Sequence, residues 1–240
     1  QFGGVYLNDS RIDSPCEIKG QDYLRIHTEP RRYPRLELLS QIVFQNEGLL
    51  VINKPSGLPC HPTVDNMQEN ILFDLQTQMN LKLYPTHRLD VPTSGLLVIA
   101  KNPDAQKKFQ NLLVEKKIQK IYRAIVEAPG PEIGFHQHYM EKTPYAPKNV
   151  MDVQRPNTQV CQLNILSKEI VQEKAFVKVE LITGRTHQIR AQLAFLGFPI
   201  FDDSLYADTK NRIQNEKIQL SCIRLTFPWE GQSLEVRLND

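Results

Sequence analysis

Short apolar runs bounded by turn residues recur along this chain, and that punctuation constrains the fold more than any other feature. Residues 42–44 and 49–53 flank Asn46-Glu47-Gly48, a hairpin signal. Residues 95–100, 118–127, 160–166, 175–182, 218–227 and 234–238 read as further strands. Helical spacing is confined to three segments. In residues 70–81 the apolar positions Ile71, Leu72, Leu75 and Met79 fall on one face. Asn102-Pro103 signals a second helix, a capping side chain followed by proline in the first turn; it carries Phe109, Leu112 and Leu113 inward and its lysines outward. The third is predicted from a Thr186 cap to Leu196, stopped by Gly197. Helices so few, and strands so often adjacent in order, predict an α+β fold with a mixed, largely antiparallel sheet rather than a doubly wound one.

Upstream, residues 5–12 and 23–27 read as two short strands joined by a polar, proline-containing turn, and residues 31–34 as a linker. Residues 129–157, rich in Pro, Gly and polar side chains, are expected to form a long loop. Gln1 is not an initiator methionine and no signal-peptide core follows it, so further chain upstream is expected. With 40% apolar and 23% charged residues, 240 residues suffice for a core without metals or crosslinks. No apolar run approaches the roughly 20 residues of a membrane-spanning helix. Cys16, Cys60, Cys161 and Cys222 are scattered without a CxxC pair, which predicts reduced thiols in a cytoplasmic setting.

Net charge is only +2, but its distribution is uneven. Between Lys101 and Arg123 seven basic residues face two acids, and Arg31, Arg32 and Arg35 form a second cluster. Such runs suit contact with nucleic-acid phosphates; a solvated helix face is the plain alternative.

Two segments concentrate chemistry. Thr86-His87-Arg88-Leu89-Asp90-Val91-Pro92-Thr93-Ser94-Gly95 places a base, a cation, a carboxylate and hydroxyls just before a strand. It reads as a catalytic loop or as a turn in which Asp90 bonds its own backbone. In Leu181-Ile182-Thr183-Gly184-Arg185-Thr186-His187-Gln188-Ile189-Arg190, Gly184 permits a tight turn and Arg185 stands at a helix N-terminus. That arrangement suits an anion, or a pairing of Arg185 with Asp90; an ordinary helix start with a surface arginine is the alternative.

Together these segments resemble the RluA-type family of RNA pseudouridine synthases, whose signature H-R-L-D-x-x-T-S-G continues through apolar residues to A-K. The match runs from His87 to Lys101, and the later G-R-T-H-Q-[IL]-R motif is met at residues 184–190. Asn53-Lys54-Pro55-Ser56-Gly57-Leu58, Tyr122-Arg123-Ala124 and Gly197-Phe198-Pro199-Ile200 with Asp203 and Leu205-Tyr206 resemble further family segments. Asp202 departs from the usual glycine, Ala128 follows a strand that often ends in glycine, and residues 146–161 lack the usual Lys/Ala/Thr pattern. The resemblance implies a catalytic domain over residues 35–240, preceded in residues 1–34 by part of an S4-like RNA-binding segment. It implies Asp90 as the catalytic carboxylate, Tyr122 as the ring that stacks on uracil, and Arg185 as the partner of Asp90. Arg88, His87, Thr93, His187 and Arg190 are implied as substrate-binding residues, Arg88 filling the stack vacated by a flipped base.

The implied reaction is uridine to pseudouridine in ribosomal or transfer RNA. It involves neither redox change nor net hydrolysis and so requires no cofactor. Two rival classes stay open: an inactive RNA-binding or remodelling protein of the same fold, and an Asp-dependent nucleoside hydrolase. Three side features carry weaker expectations. His136 and His138 lack an evident third metal ligand. Cys60-His61 sits between prolines as a structural turn, and Lys54 is expected to anchor a loop against the sheet.

Overall fold

A computed structural model describes residues 3–12, 14–207 and 217–238. The first strands are β1 (Val5–Leu7), β2 (Ser10–Ile12) and β3 (Leu24–Ile26), an antiparallel sheet ordered β2-β1-β3. Residues 5–12, expected as one strand, fold back on themselves, because Asn8 and Asp9 both take left-handed φ (51° and 64°). These two side chains tolerate that region, and two such residues in succession are what a tight hairpin needs. The small sheet is tied to the rest of the chain by Tyr6 Oη donating to Val64 O (2.9 Å). Below it, Arg32 meets the buried Glu69 at 2.6 Å. That hydrogen-bonded guanidinium, aided by Tyr33 N and Asn66, holds the Glu69 carboxyl down at about 2.

The main sheet has eleven strands. β4 (Ile42–Gln45) and β5 (Leu49–Lys54) form the expected hairpin, followed by β6 (Tyr84–Pro85), β7 (Ser94–Ala100) and β8 (Gln119–Glu127). Then come β9 (Gly134–Glu141), β10 (Val150–Met151), β11 (Thr158–Val171), β12 (Lys174–Leu181), β13 (Leu220–Trp229) and β14 (Gln232–Arg237). The order is β10-β9-β11-β12-β8-β13-β7-β5-β4, with β14 on β13 and β6 on β7. Every pairing among the described strands is antiparallel except β13 with β7. The architecture is the mixed, largely antiparallel α+β sheet expected.

The region 129–157 is not a long loop. It contains β9 and β10, paired antiparallel with each other and, through β9, with β11. In β9 only His138 and Met140 are buried, so the strand carries little apolar signal of its own and is made by its pairing with β11.

Helix α1 (Ile71–Met79) starts at Asn70, whose side chain accepts from Phe73 N at 3.0 Å. Helix α2 (Pro103–Val114) starts at Asn102, accepting from Ala105 N at 2.8 Å. Each such cap contributes about 1 kcal/mol. Apolar residues of both helices join one core with the most buried strands: β7 is buried at all but its first residue, and β5 at all but Asn53. From α2, Phe109 is fully buried and meets Phe227 edge-on at 5.2 Å. Helix α3 (Gln188–Phe195) begins one residue later than expected. Thr186 does not cap it; His187 occupies the N-cap position at φ 59° with no side-chain cap bond. Among the described residues, no helix is long and apolar enough to cross a membrane.

Candidate active site

Asp90 lies in the loop between β6 and β7, where Thr93 N donates to its carbonyl at 3.1 Å and closes the turn. Its carboxylate is therefore not spent on its own backbone. The loop is held from beneath by the segment after β5. Lys54 Nζ donates to Pro55 O (2.9 Å) and Val91 O (3.1 Å), and Gly57 N donates to Val91 O (2.9 Å). Ser56 Oγ donates to Pro92 O at 2.5 Å. Cys60 Sγ exchanges bonds with both Leu89 O (3.3 Å) and Leu89 N (3.2 Å). Lys54 thus anchors the loop as expected, as a fully buried cation whose pKa is lowered to about 8, chiefly by burial. Burial likewise pushes the Cys60 thiol up, which suits a structural sulfur rather than a nucleophile.

The second segment turns from β12 into α3. Gln188 locks this turn: its Oε1 accepts from Thr183 Oγ1 (2.8 Å) and Arg185 N (3.0 Å), while its Nε2 donates to Gln162 O (3.0 Å) and Gln192 Oε1 (2.9 Å). One turn into α3, Arg190 faces Asp90. Its Nε and Nη2 bind Asp203 bidentately (2.7 and 2.8 Å), and Nη1 reaches Asp90 Oδ2 at 3.4 Å. The counter-ion of Asp90 is therefore Arg190, not Arg185. The reason is helical geometry: Arg190 projects from the turn that the left-handed His187 starts, whereas Arg185 precedes it. The Arg185 side chain is exposed and, among the described residues, donates only a long bond, Nε to Val160 O at 3.4 Å.

His187 is the second group on Asp90, with Nε2 4.0 Å from Oδ2. Its Nδ1 meets Tyr206 Oη at 3.2 Å, and that oxygen already accepts from Lys148 N at 2.8 Å. Assigned from this network, the phenol donates to Nδ1 and the imidazole proton sits on Nε2, toward Asp90. Burial lowers the His187 pKa, with the Asp90 charge opposing, so the neutral ring is favoured.

Tyr122 projects from β8, buried, with Cys222 as its register partner on β13. Burial, then Cys222 and Asp90, raise its phenol well above the ordinary tyrosine range, so it works as a neutral ring with an O–H. Thr93 is buried, and its hydroxyl has no hydrogen-bond partner among the described residues. His87 borders the cleft but is committed to the scaffold: Nε2 accepts from Val98 N at 3.0 Å and the ring stacks on Phe109. Burial, followed by the Lys120 charge, lowers its pKa to about 3. Arg88 is exposed on the rim.

All eight residues singled out from the sequence line one cleft of about 410 Å³, a volume suited to a nucleoside. Asp90 is the only carboxylate among the residues lining it, against Arg88, Lys116, Lys120, Arg185 and Arg190. Sequence reasoning counted Lys120 only as one of seven cations in a basic run, and it gave no role to Asp203 although it lay within a recognised segment. The histidine pair lies elsewhere: His138 bonds Gln192 at 2.9 Å and His136 bonds Glu132 O at 2.9 Å.

Comparison with known proteins shows what this chain is similar to. The family model described as RNA pseudouridylate synthase matches residues 48–195, which hold Asp90, Tyr122, Arg185 and Arg190. The chain is 32% identical over 213 residues to RNA pseudouridine synthase 6, chloroplastic, of Arabidopsis thaliana, covering 77% of this chain and 44% of that protein. It is 32% identical over 250 residues to tRNA pseudouridine(31) synthase of Saccharomyces cerevisiae, covering 90% and 61%. The chain thus spans about half the length of these relatives. Among solved structures, Human RNA Pseudouridylate Synthase Domain Containing 4 superposes with a TM-score of 0.69 at 24% identity, covering 84% of this chain and 89% of that one, a likeness of fold. With a matched segment that contains both the Asp90 loop and the β12–α3 turn, this chain belongs to the RNA pseudouridylate synthase family.

Proposed function

We propose that this chain isomerises uridine to pseudouridine in structured RNA, ribosomal or transfer RNA, with Asp90 as its catalytic carboxylate. The observation that carries the reading is a single carboxylate in a cationic cleft, held by Arg190 and His187 and faced by a buried tyrosine. In the reaction the N1–C1′ bond breaks, the uracil turns, and C5 joins C1′. The hydrogen on C5 leaves as a proton and N1 takes one up, so nothing is oxidised or hydrolysed. Asp90 adds to C1′ or removes a ribose proton; either route needs a fixed anion beside the sugar. Arg190, held by Asp203, orients that anion, and His187 offers it an N–H.

Tyr122 supplies a face on which the loosened base stays while it turns, its phenol remaining protonated throughout. Thr93, with a hydroxyl free of protein partners, is suited to a polar edge of the uracil or ribose. Arg185 acts on the RNA rather than on Asp90. Since a paired uridine is inaccessible in a helix, the base enters flipped, and Arg88 on the rim takes its place in the stack. A reducing compartment, the cytosol in the simplest case, suits four unpaired cysteines; the relatives include chloroplastic and mitochondrial proteins.

Tritium release from RNA carrying [5-³H]uridine tests the proposal. Wild-type protein is expected to release tritium, and Asp90→Ala to bind the same RNA and release none. Binding without release by the wild type on both ribosomal and transfer RNA would overturn the isomerase in favour of an RNA-binding relative. Free uracil as the product would reveal a hydrolase.

A further inference from the structure

Lys120 has no part in the mechanism above. It stands on β8 two residues before Tyr122, so strand alternation points both side chains into the cleft. Its ammonium is partly buried, and no hydrogen bond or ion pair to it is formed among the described residues. Burial lowers its pKa, as expected of a cation without an anion. Across the cleft it rests against the β12–α3 turn: a Cβ on Gly184 would lie 3.3 Å from Lys120 Nζ. The glycine in the G-R-T-H-Q-I-R segment therefore clears room for this lysine; its φ is not left-handed, and the residue that takes that conformation in the turn is His187.

Two more cations line the same cleft. Lys116 follows α2 in a left-handed conformation (φ 56°) and is exposed, and Arg185 is spent only on the long bond to Val160 O. Neighbouring charges are treated differently: Lys117 pairs with Glu115 at 2.7 Å, and Gln119 bonds Glu180. The last residues of α2, Leu113 and Val114, also line the cleft, and Val114 is 82% exposed. Three cations around one space repel one another unless an anion joins them, and an exposed apolar ledge beside them suits a flat ring.

We propose that Lys116, Lys120 and Arg185 bind the phosphodiester adjoining the flipped uridine, with Leu113 and Val114 as the platform for the neighbouring base. This rests on the isomerase reading and adds to it a subsite for a flanking nucleotide. Among the described residues the charged groups on Asp90 are Arg190 and His187, not the cations of this subsite, so its removal raises KM and leaves the chemical step intact.

The test is the salt dependence of affinity for a single-stranded dodecauridylate, measured for wild type, Lys120→Met, Lys120→Arg and Lys116→Asn. Losing a cation from this one phosphate contact should reduce the slope of log K against log[salt] by at most about 0.7, the value for one phosphate on a single strand. Lys120→Arg should restore it. With tritiated transfer RNA as substrate, KM should rise for Lys120→Met while kcat stays within about twofold. Lys116→Asn guards against misfolding, since the side chain is exposed and asparagine tolerates the left-handed backbone. Unchanged slopes in both Lys116→Asn and Lys120→Met would overturn the subsite. So would loss of kcat with the slope preserved, which would place Lys120 on the reacting base. Slopes that fall as expected in a wild type that releases no tritium would sink the isomerase reading and leave the phosphate site standing.

Discussion

Gly95 joins the Asp90 loop to the sheet, and Gly95→Ala tests whether that joint positions the site. The residue sits at φ +104°, and a Cβ there would approach Cys222 O at 2.2 Å, Cys222 N at 2.5 Å and Cys222 C at 2.8 Å. All three are backbone atoms of β13, so no side chain can rotate away. The unfavourable φ costs about 1–2 kcal/mol for a residue with a Cβ. Relieving the overlap requires β13 to move off β7, and the two strands are joined only at Ser94–Ser221 and Gly95–Cys222. Loosening that short parallel ladder exposes or orphans buried backbone groups at about 1–3 kcal/mol each. Together the loss is about 4–6 kcal/mol, a large part of the roughly 5–15 kcal/mol that holds a domain folded. Urea unfolding followed by the fluorescence of Trp229, the chain's one tryptophan, buried on β13, reads it directly. The midpoint should fall sharply at constant m-value, and tritium release should fall with it, because Cys222 is also the register partner of Tyr122. A loss under about 1 kcal/mol with normal activity would refute the claim that this contact sets the geometry.

Two further predictions concern buried charge. Arg190→Met leaves Asp203, 1% exposed, without its bidentate partner. The expected cost of about 3–5 kcal/mol lowers Tm by about 10 °C in a domain of this size. Arg185→Met, at an exposed position, should move Tm little; equal falls in calorimetry would refute the different placement of the two arginines. For Lys54 the native pKa of about 8 lies below the ordinary 10.5. Below pH 8 both folded and unfolded chains carry the proton, and the cost of burying the charge is fully present. As pH rises from about 8 to 10.5 the native state loses its proton first, so wild type should gain up to about 3 kcal/mol relative to Lys54→Met. Urea midpoints of the two proteins that run parallel between pH 7.5 and 10 would refute this.

Much of the molecule was legible in the sequence, for local reasons. Asn70 and Asn102 cap their helices through side chains that bond a backbone N–H three residues on, and nothing distant is needed to place them. Seven of the eight candidate residues that line the cleft stand in two motif segments of about ten residues each, and Tyr122 came from the family resemblance alone. What failed depended on partners. β9 has too few apolar residues to announce itself and exists because β11 pairs with it. The N-terminal hairpin turned on whether Asn8 and Asp9 would both adopt left-handed φ, a choice open to those side chains and not required of them.

The sequence by itself determined the three helices and most of the strands, and its motifs named Asp90, Tyr122 and two arginines as the candidate chemical groups. Tertiary structure decided how those groups pair. Arg185 and Arg190 stand in one motif with equal charge, and only the left-handed His187 and the first turn of α3 aim one at Asp90 and leave the other at the rim. Likewise Lys120 reads as one of seven cations in a basic run until the β8 register and Gly184 place its ammonium inside the cleft. The physical reason is common to both. Propensities and caps act over a few residues along the chain, whereas an ion pair or an unpartnered cation is defined by distances between atoms far apart in sequence: a hundred residues between Asp90 and Arg190 become 3.4 Å when the sheet closes.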